Sequence, residues 1–131
     1  MKTSLFPILL FLLAANAAKS QAPSADHNFV GTWRGTSICQ IKNSPCHDEV
    51  VVYYITQAPG TDSFRVSASK IVNGKEDNMG VLGFKLDRTK NQFISTDFGG
   101  LWTFTLQEKK LDGTLVYNGK LFRIVKLTKQ E

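Results

Sequence analysis

Long apolar runs are almost absent from this 131-residue chain. The one run, residues 5–13, is shorter than the roughly 20 residues that a membrane-spanning helix needs. It is followed by Ala15-Asn16-Ala17, which places small residues at the two positions that a signal peptidase reads. We therefore predict a signal peptide over residues 1–17, cut after Ala17 or Ala18. The mature protein is expected to be exported, either periplasmic or secreted, and not membrane-spanning.

Catalytic motifs are also missing. The sequence contains no G-x-S-x-G, no H-E-x-x-H, no glycine-rich phosphate loop and no nicotinamide-binding fingerprint. Only His27 and His47 have side chains that ordinarily titrate near neutral pH. His47 stands beside Asp48 and Glu49, where a general base is one interpretation and a solvated loop end is the favoured one. We predict that the protein is not an enzyme, with no catalytic residues and no cofactor.

Cysteine is limited to Cys39 and Cys46, with six residues between them that include a turn-forming Asn-Ser-Pro. A thioredoxin-like redox pair has two intervening residues and lies on a helix. A metal site would need residues 47–49 to converge with both sulfurs, but consecutive residues of a strand point to opposite faces. In an oxidising compartment a disulfide across the turn is the expected state. We predict this disulfide and no metal site.

What the chain does contain is a series of short segments rich in Val, Ile, Phe, Tyr and Thr, separated by turn-forming sequences about every ten residues. Asn73-Gly74 and Asn118-Gly119 favour two-residue type I′ hairpins, because both central residues of that turn need positive φ. The predicted strands are 30–41, 49–57, 64–72, 78–86, 92–96, 101–107, 111–117 and 120–128.

Consecutive strands joined by short turns form an antiparallel meander, and eight of them can close into a barrel that has no exposed edge. A two-sheet sandwich is the alternative, but it usually needs longer crossovers. We therefore predict an all-β, eight-stranded, up-and-down β-barrel as a single domain over residues 28–131. A flexible polar leader over residues 18–27 is expected to precede it.

The segment Phe29-Val30-Gly31-Thr32-Trp33 resembles the G-x-W signature of the calycin superfamily, which includes lipocalins, fatty-acid-binding proteins and avidins. In that superfamily the tryptophan closes one end of an eight-stranded barrel, and a basic residue packs over it. The resemblance implies structural roles for Gly31, Trp33 and Arg123, with the Arg123 guanidinium over the indole. The length is similar to that of small exported bacterial barrels of the lipocalin-like or avidin-like kind. The residues of the biotin site of avidins are not found, so no ligand is implied.

The interior of a small barrel either holds one small ligand or is filled by side chains, and the sequence leaves both possibilities open. Gly35 and Ser37, on the same face as Trp33, favour some space above the indole. Lys75 and Lys120 are expected near the rim, where they would favour an anionic head group. The candidate ligand-binding residues are Tyr54, Phe64, Trp102, Phe104, Tyr117 and Lys120. We predict a binding protein for a small, largely apolar or amphiphilic molecule held in the barrel.

The net charge of +5 arises mainly at the C-terminal end, where residues 109–131 hold six basic and two acidic residues. A lysine-rich, solvated strand face explains this excess, and attraction of an anionic partner is the alternative. The basic residues are not interleaved with aromatic ones, so no nucleic acid partner is expected. The alternative function is an exported protein inhibitor, for example of a secreted protease. The chain resembles bacterial metalloprotease inhibitors in size and in its G-x-W, and the leader 18–27 would then insert into the protein partner.

Overall fold

A computed structural model describes residues 25–131, so the predicted signal peptide and most of the predicted leader lie outside the described residues. A short helix, α1 (Ala25–Phe29), opens the described part. The last three residues of the predicted leader, 25–27, belong to this helix. Within this range no helix has the length and apolarity that crossing a membrane requires.

Eight antiparallel strands follow the helix and close into one barrel in which each strand pairs with its neighbours in the chain and β8 pairs with β1. The all-β, eight-stranded, up-and-down barrel predicted from the turn spacing is confirmed, and the sandwich is excluded. The strands are β1 (Gly31–Cys39), β2 (Glu49–Gln57), β3 (Ser63–Val72), β4 (Lys75–Asp87), β5 (Gln92–Ser95), β6 (Leu101–Gln107), β7 (Lys110–Tyr117) and β8 (Lys120–Lys129).

The observed strand boundaries lie within three residues of the predicted ones. Asn73, Gly74, Asn118 and Gly119 all have positive φ, as a type I′ turn requires. The largest difference is in β4, which begins directly after the Asn73-Gly74 turn. A β-bulge opposite Ala68 and Ser69 interrupts the alternation of inward and outward side chains along β4. The sequence pattern therefore did not indicate that the first residues of β4 belong to the strand.

The closed end of the barrel is filled by aromatic side chains. Phe29, at the end of α1, stacks on Phe93 at a centroid distance of 3.6 Å and meets Phe64 edge-on at 5.1 Å. The Trp33 indole N–H donates a hydrogen bond to the Phe29 carbonyl at 2.8 Å, and both residues are fully buried. Burial of each such ring stabilises the fold by about 1.5–3 kcal/mol. Helix α1 therefore plugs this end of the barrel.

The basic residue over Trp33 is Lys129, whose Nζ lies 5.7 Å from the ring centroid and donates to the Asn28 carbonyl at 2.9 Å. The predicted contact of Arg123 with Trp33 is wrong. Because β8 runs antiparallel to β1, its last residues lie beside the first residues of β1. Trp33 pairs with Lys129, whereas Arg123 pairs with Cys39 at the other end of β1. Six residues of strand, roughly 20 Å, separate the two positions.

Candidate ligand-binding site

The half of the barrel opposite the plug is not filled. It holds a cavity of about 310 Å³ that opens to solvent. At the ~30 Å³ that a water molecule occupies in the liquid, this is room for roughly ten waters or a ligand of about ten non-hydrogen atoms. The sequence did not decide whether the barrel is filled or hollow. In the structure the closed end is filled and the other end is hollow.

Side-chain size along the inward face of each strand explains the division. Large rings face inward at the closed end, while Ser37, Ala68, Gly80 and Gly100 line the open end. The Phe104 ring is buried against Trp102 and Tyr53, and its Cε1 and Cδ1 lie so close to Gly113 that any Cβ there would overlap them. Glycine at 113 is therefore required by the approach of this ring.

The wall is incomplete on one side. β5 pairs with β4 only from Lys85 to Asp87, so among the described residues the first part of β4 has a strand partner on its β3 side alone. The Asp97 carboxylate bridges part of the gap by accepting a hydrogen bond from the Gly83 N–H at 2.7 Å. On this side the cavity is lined by residues 79–82 of β4 and by Asp97 and Phe98 from the connection between β5 and β6.

Aromatic side chains form the apolar face of the cavity. Trp102 lies parallel to the Phe104 ring at a centroid distance of 6.2 Å, and Tyr117 lies above it nearer the mouth. Phe98, in the short 3₁₀ turn between β5 and β6, lines the rim and is 83% exposed. The remaining apolar lining residues are Ala68, Met79, Val81, Leu82 and Leu115.

A polar cluster faces these rings. The Arg123 Nη1 donates to the Ser37 carbonyl at 3.3 Å, to the Ser37 Oγ at 3.2 Å and to the His47 carbonyl at 3.1 Å. The same nitrogen lies 3.7 Å from the Glu49 Oε2, which makes an ion pair that is mostly shielded from solvent. Arg123 thus joins β8, β1 and the β1–β2 loop at the side of the cavity.

Tyr53 adds a phenol to this cluster. Its side chain is 2% exposed and lines the cavity, with its ring edge-on to Phe104 at 6.1 Å. Burial raises the pKa of Tyr53; the charge of Arg123 opposes this rise and that of Glu49 adds to it. Within residues 25–131 the Tyr53 hydroxyl has no hydrogen-bond partner.

The predicted disulfide is confirmed and holds the loop beside the mouth. Cys39 and Cys46 are joined, with their Cα atoms 5.9 Å apart. The Cys39 N–H donates to the Asp48 Oδ1 at 2.9 Å, which closes the loop a second time. Arg123 donates a hydrogen bond to the carbonyl of His47, the residue after Cys46. The closed loop therefore orients the guanidinium. In the part of the chain that the structure describes, no group of three or more His, Cys, Asp or Glu side chains is placed to hold a metal ion.

Comparison with known proteins finds no sequence relative and a distant structural similarity. No protein-family model matches the chain, and no curated protein matches it in sequence. Among solved structures, a point variant of the fluorescent protein UnaG is similar at a TM-score of 0.49 and 16% sequence identity, over 81% of this chain and 99% of that one. The support for the calycin-like barrel predicted from G-x-W is therefore the closed pairing of the eight strands in the structure itself.

The structure places some of the candidate ligand-binding residues in the cavity and others elsewhere. Trp102 and Tyr117 line it, whereas Phe104 is buried against Trp102 and is not a lining residue. Phe64 is buried at the closed end against Phe29, and Lys120 is exposed at the start of β8 and does not line the cavity.

Tyr54 lies outside the barrel and is not a wall residue. It is 40% exposed, and its hydroxyl donates to the Glu76 Oε1 at 2.6 Å, a hydrogen bond that raises the pKa of Tyr54. Consecutive strand residues point to opposite faces, so Tyr53 is the inward member of the pair. Gly35 also has another role: a Cβ there would meet the backbone of Lys126, so this glycine permits the close approach of β1 and β8.

Sequence reasoning missed Glu49, Tyr53 and the position of Arg123. The signal was present, because Glu49 and Tyr53 alternate with Val51 on one face of β2. Val50 and Val52 make the other face apolar as well, so the pattern did not show which face lies inside.

Proposed function

We propose that this chain is an exported, non-enzymatic binding protein that holds a small, largely apolar or amphiphilic molecule in the open half of its barrel. The observation that carries the proposal is the cavity itself, open to solvent and walled by Trp102 and Tyr117. Ligand sites are commonly apolar concavities with a few placed polar groups, of about 300–1,000 Å³. This cavity is at the small end of that range, and its polar groups converge from one side.

The energy of binding would come chiefly from the rings. Removal of apolar surface from water contributes about 25 cal/mol per Å². A ligand body lying against Trp102 and Leu115 would be covered by side chains that the fold already holds in place, so little side-chain conformational entropy is lost on binding. The lysines predicted at the rim are not needed, since Lys75 and Lys120 do not line the cavity.

The test is a titration of the purified mature protein with small apolar and amphiphilic molecules of about ten non-hydrogen atoms, followed by tryptophan fluorescence and by calorimetry. The chain has two tryptophans, and Trp33 lies at the closed end. Trp102→Phe should therefore abolish the fluorescence response while calorimetry still records binding. A response that persists in this variant would place binding elsewhere.

A filled cavity should not bind. Ala68→Met adds a long side chain to the cavity wall, and Arg65→Met makes a similar change on the exposed face of the same strand. Binding should be lost in the first variant and kept in the second. The proposal is refuted if both variants bind equally, or if no member of the panel binds the unmodified protein below millimolar concentration.

Export is tested separately by the intact mass of protein recovered from the periplasm or the medium. Loss of the first 17 or 18 residues is expected. The inhibitor alternative depends on residues 18–27, most of which lie outside the described residues. It stays a prediction, which deletion of that segment would test against secreted proteases.

A further inference from the structure

The polar cluster in the cavity has hydrogen-bonding groups that the protein itself does not use. All the hydrogen bonds of Arg123 run through Nη1, and its Nη2 and Nε have no partner among residues 25–131. The Tyr53 hydroxyl is likewise unpaired in this range although the side chain is 2% exposed. Buried polar groups are nearly always hydrogen-bonded, and a donor without a protein partner at a cavity wall is placed to meet a ligand or water.

An acceptor lies beside these donors. The Glu49 carboxylate is 3.7 Å from the Arg123 Nη1, which is beyond hydrogen-bond distance, and it makes no hydrogen bond within the described range. Glu49 and Tyr53 share the inward face of β2, separated by one residue of that face. The wall therefore presents a cation, a phenol and a carboxylate to the same part of the cavity.

The charge of the lining argues against an anionic ligand. The formally charged lining residues are Arg123, Glu49 and Asp97, one positive and two negative. A ligand carboxylate that reached Arg123 would stand beside the Glu49 carboxylate, and two like charges that close disfavour each other strongly in a partly dry site. A ligand ammonium would meet the guanidinium in the same way. The anionic head predicted from the rim lysines is therefore not the group that this wall fits.

We infer that the cavity selects a neutral ligand whose polar end carries a carbonyl and an N–H side by side, as in an amide or a lactam. The inference rests on the proposed binding function and names the chemical class of the polar end. The carbonyl accepts from the Tyr53 hydroxyl and from the free nitrogens of Arg123, and the N–H donates to Glu49. The apolar body then lies against Trp102 and Leu115.

Selection follows from what each rival head group leaves unpaired. An ester offers the acceptor but no donor, so Glu49 would lose its water without gaining a partner. Sites built to hydrogen-bond a group reject analogues that lack it far more strongly than they reject a missing methylene, because the buried partner is left unsatisfied. An amide head group pairs both with the donors, Tyr53 and Arg123, and with the acceptor, Glu49.

The test uses one apolar body with four heads: octanamide, octanoate, methyl octanoate and octylamine, titrated by calorimetry into the unmodified mature protein at neutral pH. Octanamide should bind about ten-fold more tightly than each of the others. Octanoate or octylamine binding as tightly as the amide would overturn the inference while leaving the proposed function intact. Equal binding of the amide and the methyl ester would overturn the role of Glu49 as acceptor. Binding by none of the four would refute both the proposed function and this inference.

Two conservative variants and one control variant sharpen the assignment. Glu49→Gln removes the negative charge, so the preference for amide over acid should shrink about ten-fold, mainly through tighter binding of octanoate. As a control, Glu76→Gln removes an exposed carboxylate on the outside of the barrel, so it should leave the preference for amide over acid unchanged. Tyr53→Phe should weaken octanamide several-fold without weakening the fold, because the hydroxyl has no protein partner to lose. An unchanged amide-to-acid ratio in Glu49→Gln would overturn the inference.

Discussion

Replacing Trp33 by phenylalanine tests the plug at the closed end of the barrel. The indole N–H bonds the Phe29 carbonyl at 2.8 Å, and both residues are fully buried. Leaving that carbonyl unpaired costs about 1–3 kcal/mol. The smaller ring also leaves a void of roughly 40 Å³, which costs about 1 kcal/mol at ~24 cal/mol per Å³. We therefore expect the free energy of unfolding to fall by about 2–4 kcal/mol.

The assay is urea unfolding followed by far-ultraviolet circular dichroism, which does not depend on the altered tryptophan. Trp102→Phe is the matched control: it makes the same chemical change at a partly buried position whose indole has no hydrogen bond within residues 25–131. This control should cost less than about 1 kcal/mol. Equal losses in the two variants would mean that the hydrogen bond from β1 to α1 contributes nothing.

A double-mutant cycle then decides which basic residue covers the indole. Lys129→Met should show a coupling of about 0.5–1 kcal/mol with Trp33→Phe, because the ammonium lies 5.7 Å from the ring centroid. Arg123→Met should be additive with Trp33→Phe to within about 0.5 kcal/mol, because the two positions are roughly 20 Å apart. Coupling to Arg123 and none to Lys129 would contradict the observed strand register.

Three further predictions concern the open half. Burial raises the pKa of Tyr53, so unfolded chains release this proton at lower pH than folded ones, and stability should fall as pH rises above about 10 by up to ~1.4 kcal/mol per pH unit. Tyr53→Phe should make this slope shallower in urea titrations at alkaline pH, and an unchanged slope would contradict the burial of the phenol. Replacing Cys39 and Cys46 together by serine should cost about 2.5 kcal/mol in the same assay, since an eight-residue loop is released; an unchanged midpoint would refute that contribution. Gly113→Ala should cost about 1–3 kcal/mol because its methyl group displaces the Phe104 ring, and a neutral effect would show that the ring moves freely.

Local chemistry determined the strands and their order. Asn-Gly pairs need no distant partner to adopt positive φ, so the type I′ turns and the hairpins around them could be predicted from the residues alone. The disulfide was predictable for the same reason, because a short loop brings Cys39 and Cys46 together whatever the rest of the chain does. Closure of the barrel also followed, since eight short-looped strands have few other ways to hide their edges.

The contents of the barrel were decided by tertiary structure. β2 is apolar on both faces at Val50 to Val52, so only its pairing with β1 and β3 shows that Glu49 and Tyr53 face inward and Tyr54 outward. The partner of Trp33 depends on the register between the first and last strands, which no local pattern contains. The division into a filled and an open half depends on α1 and on the ring of Phe104 over Gly113. These are contacts between residues far apart in the chain, and only the closed barrel brings them together.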